Sequence, residues 1–116
     1  MSIISILKII AVIVTILTGV YSLVLPKKLK GINELVAATP FAVTEIRAVM
    51  GGTFIGLGIA ALIFPVVFVY YTLAITYTAI ALIRVIYMLV DKSIDKSNLI
   101  LLASEAVLAI VLYYPV

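Results

Sequence analysis

Apolar residues run along this chain in four long blocks, separated by short breaks that are polar or marked by proline. The first block, from Ile3 to Leu25, is interrupted only by Lys8 and small polar residues, and it stops at Pro26 ahead of Lys27, Lys28 and Lys30. The second opens at Thr39-Pro40, which reads as an N-cap followed by proline at the first helical position, where the missing N–H costs nothing. It runs to Phe64. Pro65 marks a tight uncharged connection, and the third block covers 66–90. The continuously polar stretch from Asp91 to Asn98 follows, and a shorter apolar block over 99–114 ends the pattern. A helix crossing a hydrocarbon core of roughly 30 Å needs about 20 apolar residues. The blocks therefore predict crossings at about 3–25, 40–64, 66–90 and 99–114. The fold class is all-α: a polytopic integral membrane four-helix bundle, with residues 1–116 as a single transmembrane domain. A cleaved signal peptide competes for the first block, but its positive charge should precede a shorter apolar region, and here Lys8 lies within it. In the first break, Leu29, Ile32, Leu35 and Val36 fall at helical spacings among polar residues, which fits either a short interfacial helix or a solvated basic loop.

Composition removes most of the alternatives. Of the 116 residues 66% are hydrophobic and 11% charged, with a mean hydropathy of +1.42. Soluble domains have about 45–50% and about 25%. Cysteine and histidine are both absent. That excludes disulfides, thiolate or imidazole metal sites, iron–sulfur clusters and a histidine base. No catalytic residue, metal or cofactor is expected, and the chain reads as a non-enzyme.

The net charge of +3 sits mostly beside the spans. No aromatic-interleaved basic patch suggests nucleic acid, so the lipid bilayer is the expected partner, its anionic lipids facing the lysines. Lys27, Lys28, Lys30, Lys92 and Lys96 lie on one side and Lys8 on the other. By the positive-inside rule the loops 26–39 and 91–98 are cytoplasmic and both termini outside, in what reads as a prokaryotic cytoplasmic membrane. Lys8 is expected to snorkel toward the outer interface.

Besides Lys8, four charged residues interrupt the spans: Glu45, Arg47, Arg84 and Glu105. A charge near the bilayer centre costs roughly 2.5–3.5 kcal/mol even on the lenient insertion scale, so such groups pair, face the bundle interior or mark a pathway. Arg84 lies seven residues before Asp91, and Glu105 seven after Asn98. At 1.5 Å per residue both sit about 10 Å in from the third loop, on antiparallel neighbours. Glu45 and Arg47 fall roughly 9 and 12 Å from the same side. The four form one layer of zero net charge. Glu45 and Arg47, about 200° apart on a helix, cannot both point along one line. Tyr70, Tyr77, Arg84 and Asp91 recur every seven residues as a stripe facing protein, so Tyr77 and Asp91 extend the layer. The layer fixes helix register, or exchanges a proton, or binds a polar ligand.

Ala48, Gly52, Gly56 and Ala60 stand at four-residue spacing on the second span. Small residues let membrane helices approach closely, so this face is expected to pack within the bundle, with homo-oligomerisation as the alternative. Tyr21, Tyr70, Tyr71, Tyr113 and Tyr114 suit an interfacial aromatic belt.

The segment Glu45-Ile46-Arg47-Ala48-Val49-Met50-Gly51-Gly52, followed by Phe54-Ile55-Gly56-Leu57-Gly58, resembles the signature of a four-helix bacterial membrane family designated domain of unknown function family 4345. Ile83-Arg84 with Asp91, and Glu105, fall where that pattern also has an arginine, an acid and a glutamate. The likeness runs from Leu25 onward and departs at Lys92, where the pattern has glycine. Such proteins are distantly similar to the DoxX-like group, some of them associated with quinone-linked electron transfer. The resemblance implies the fold and the charged layer and transfers no activity.

Together these features suggest a non-catalytic accessory subunit that packs against other membrane-protein subunits of a larger complex. The alternatives are a small proton-coupled or polar-solute transporter, and a quinone- or lipid-binding protein using the charged layer.

Overall fold

The computed structural model describes residues 2–24 and 39–114. They form four membrane-length helices: α1 (Ile3–Val24), α2 (Pro40–Ile63), α3 (Val67–Val90) and α4 (Lys96–Tyr113). With 22, 24, 24 and 18 residues, they span about 33, 36, 36 and 27 Å. The long axis of the molecule, 44 Å, matches the roughly 40–45 Å of a bilayer with its headgroups. The first loop, with Lys27, Lys28, Lys30 and the candidate interfacial helix from Leu29 to Val36, lies outside the described residues.

Local chemistry sets the helix ends. The Thr39 hydroxyl accepts the Ala42 N–H at 3.0 Å and Pro40 takes the first turn of α2, as the Thr-Pro pair predicts. α2 closes where the Phe64 N–H donates to the Ala60 carbonyl at 2.8 Å, because Pro65 has no N–H with which to continue. α4 starts at Lys96, ahead of the 99 read from the apolar pattern, since the Asp95 carboxylate accepts the Asn98 N–H at 2.9 Å and caps a polar first turn. Lys92 adopts the left-handed φ of 53°. The Ser93 N–H then donates back to the Met88 carbonyl at 3.0 Å, the long bond of a Schellman-type helix end.

α2 lies along α1, and α3 lies antiparallel to α4. α1 also touches α4, while α2 meets α3 only through its second half, near the 64–66 turn. All four helices share one core built from Ala11, Val12, Ala61, Leu73, Ala74, Tyr77, Ala109 and Leu112. Toward the opposite, 91–95 end the bundle opens: residues 46–51 pack on α1, and residues 40–45 approach none of α1, α3 and α4.

Polarity is inverted relative to a soluble bundle. Phe68 is 80% exposed and Ile110 68%, whereas Lys8 is 2% exposed and Thr15 is fully buried. Apolar side chains clothe the outside because lipid is the solvent, and the buried polar groups satisfy one another. Hydroxyls along the spans donate to the carbonyl four residues back, as Thr15 does to Ala11, Thr72 to Phe68, Thr78 to Ala74 and Ser104 to Ile100.

Candidate functional site

Arg84 and Glu105 reach each other from facing turns of α3 and α4. The guanidinium is bidentate on the carboxylate, Nε to Oε1 at 2.9 Å and Nη2 to Oε2 at 2.7 Å. Two parallel charge-assisted bonds give such a pair directionality as well as strength. Nη1 donates at 3.0 Å to the side-chain oxygen of Asn98, whose amide donates at 2.8 Å to the Ser93 carbonyl. Asn98 therefore ties the ion pair to the 91–95 loop. It stands seven residues before Glu105 on the same face of α4, and that spacing is the signal that identifies it.

The other half of the charged layer is not assembled with this one. Arg47 is exposed and donates through Nε to the Leu23 carbonyl at 3.0 Å, so it satisfies one of the orphan carbonyls in the last turn of α1. Glu45 is exposed and has no ionic partner among the described residues. The reason is azimuth. Shared depth brings charges together only when the helices also face each other; Arg47 lies in the 46–51 turn, which faces α1 alone, and Glu45 in the 40–45 segment, which faces none of α1, α3 and α4. A π-helical turn over Ile46–Gly51 shifts the register further, so angles counted at 3.6 residues per turn do not carry from Glu45 to the residues beyond it.

Tyr77 and Asp91 do not join the ion pair. The Tyr77 hydroxyl shares a 2.6 Å hydrogen bond with Thr15 of α1, and its ring lies 6.3 Å from that of Phe54 on α2. Asp91 is exposed at the end of α3. Lys8 likewise departs from the expected snorkelling. Its ammonium turns inward, donates to the Leu112 carbonyl at 2.9 Å and stands 4.9 Å from the centre of the Tyr70 ring. A cation on the last-turn carbonyls of α4 complements that helix end, and the aromatic face adds to the attraction.

The small-residue face also needs correction. Ala48, Gly52 and Gly56 point outward and Ala60 is half-buried. A Cβ added at Gly52 or Gly56 would meet nothing within 4 Å. The close approach inside the bundle is made elsewhere: a Cβ on Gly19 would lie 2.8 Å from the Gly51 carbonyl oxygen and 2.8 Å from the Ile55 nitrogen, and one on Gly58 would collide with Ile16. Lys8, Ala11, Thr15, Gly19 and Ser22, at three- and four-residue spacings, form the buried stripe of α1. Among the described residues no group of three or more side chains suited to holding a metal ion occurs.

With that geometry, the chain can be set beside known proteins. Residues 3–115 match the profile of the domain of unknown function DUF4345. The chain belongs to the DUF4345 family. No curated protein and no solved structure matches it. The DUF4345 match spans all four helices and so takes in both the Arg84–Glu105 pair and the outward face of α2.

Proposed function

We propose that this DUF4345 protein is a non-catalytic accessory subunit that stabilises a larger membrane complex, with α2 as its docking helix. One observation carries the reading. The bundle makes its own close contacts through Gly19, Gly51 and Gly58, while Ala48, Gly52 and Gly56 form a second smooth face turned to the surroundings. Lipid chains gain nothing from such a face, whereas a neighbouring membrane helix gains close backbone approach. Glu45, exposed one turn nearer the 91–95 end, offers that neighbour a carboxylate at a depth where a charge favours a partner over lipid.

Native gel electrophoresis of gently solubilised membranes, with mass spectrometry of the band, tests the reading. Co-migration with a larger membrane protein is the expected result. Gly56→Leu is expected to release the chain from that complex while leaving its own unfolding transition unchanged. Migration of the wild-type chain as a lone monomer or a homodimer would sink the proposal.

A further inference from the structure

A groove of about 680 Å³ runs along α3 and is lined by no residue of α2. Its apolar wall includes Ile75, Ala79, Ile80 and Ile83, and its polar end is made by Arg84, Asp91, Ser93 and Asn98. From Asp91 to Ile75 is about 24 Å of helix, which starts at the membrane interface and passes the roughly 15 Å depth of the bilayer midplane. Polar groups at the interface and an apolar wall below them match an amphiphile standing upright in one leaflet. The volume lies within the about 300–1,000 Å³ of small-molecule sites, with room for one chain and a compact head.

The hydrogen-bonding capacity of the polar end specifies the head. A guanidinium has five N–H donors and Arg84 uses three, on Glu105 and Asn98. The other two donate to nothing among the described residues, and neither does the Ser93 hydroxyl. These donors call for carbonyl or ether oxygens. Asp91 is an acceptor and calls for a hydroxyl. The charge of Arg84 is already balanced by Glu105, so the Asp91 carboxylate at the mouth turns away a phosphate or free carboxylate head. We infer that the groove holds one molecule of an uncharged, hydroxylated ester of a single fatty chain, the monoacylglycerol type, with its ester oxygens on Arg84 and Ser93 and a hydroxyl on Asp91. This site is independent of the α2 face and of the accessory reading.

The test uses a monoacylglycerol with a photoreactive diazirine midway along its chain, incorporated with the full-length protein in phosphatidylcholine nanodiscs. After irradiation, adducts are mapped by peptide mass spectrometry. Labelling is expected to concentrate severalfold on 75–88 over the lipid-facing side of α1. Ala79→Phe, at an exposed position where the ring fills the groove without entering the core, should bring 75–88 down to the α1 level. Ser93→Ala should weaken competition by unlabelled monoacylglycerol about fivefold, the worth of one hydrogen bond. Labelling that is even around the bundle, or insensitive to Ala79→Phe, would mean bulk lipid and overturn the site. Equal enrichment by a lysophosphatidic acid bearing the same diazirine would overturn the uncharged head.

Discussion

Helices α1 and α2 meet where glycine removes the side chain from between two backbones, whereas α3 and α4 meet through an arginine, a glutamate and an asparagine. The first half gains dispersion contacts at Gly19, Gly51 and Gly58. The second gains a bidentate ion pair and the two hydrogen bonds that join it to a loop. In water both helix pairs would be driven together by expelling solvent; in lipid that term is missing, and geometry or polar bonding must replace it. The difference shows in what each half tolerates. A glycine contact fails when anything is added, and a polar contact fails when either partner is taken away.

Removing the carboxylate is expected to have the largest effect. Glu105→Ala strands Arg84, and breaking such a pair costs about 3 kcal/mol, the lower end of the usual range because the guanidinium side chain is 23% exposed. Glu105→Gln, which keeps an acceptor oxygen, should lose clearly less. Reversible unfolding in mixed detergent followed by circular dichroism reads both, and equal losses would show that the pair acts through its charge and not through its bonding geometry.

Adding a methyl group probes the other half. Gly19→Ala must push α1 away from the α2 backbone and is expected to cost about 2 kcal/mol, against less than about 0.5 kcal/mol for Gly56→Ala, which meets open space. The same unfolding assay compares them. A similar loss at both positions would reverse the assignment of inner and outer faces.

A smaller effect than at Gly19, and of opposite sign, is expected at Lys92. Its left-handed φ of 53° is strained for a residue with a Cβ, so Lys92→Gly should raise stability by about 0.5–1 kcal/mol. A loss there would show that the lysine side chain contributes more than its backbone costs.

The four spans were legible because each apolar block is long enough to cross a bilayer and ends at a proline or a polar run. Arg84 and Glu105 could be read as neighbours because both are counted from one short loop on adjacent antiparallel helices, which settles depth and facing together. For Glu45 and Arg47 only depth could be counted. Their facing depends on how α2 rotates against α1 and on the π turn over Ile46–Gly51, and neither is written in the spacing of apolar residues. The glycines teach a related lesson. Strict periodicity over Ala48, Gly52, Gly56 and Ala60 marks a smooth face but not the neighbour it serves, and the stripe that packs inside, from Lys8 to Ser22, is less regular and includes a lysine. Lys8 was misread because a long cationic side chain near a helix end ordinarily reaches water. Here a carbonyl in the last turn of α4 receives it instead.

The contact between Lys8 and Leu112 also bears on the order in which the bundle is assembled. The cation belongs to α1 and its acceptor to α4, 104 residues later. Until α4 is docked, the Lys8 ammonium lacks the Leu112 carbonyl that receives it. The buried position of Lys8 therefore depends on a helix far along the chain, and the α1–α4 contact closes the bundle.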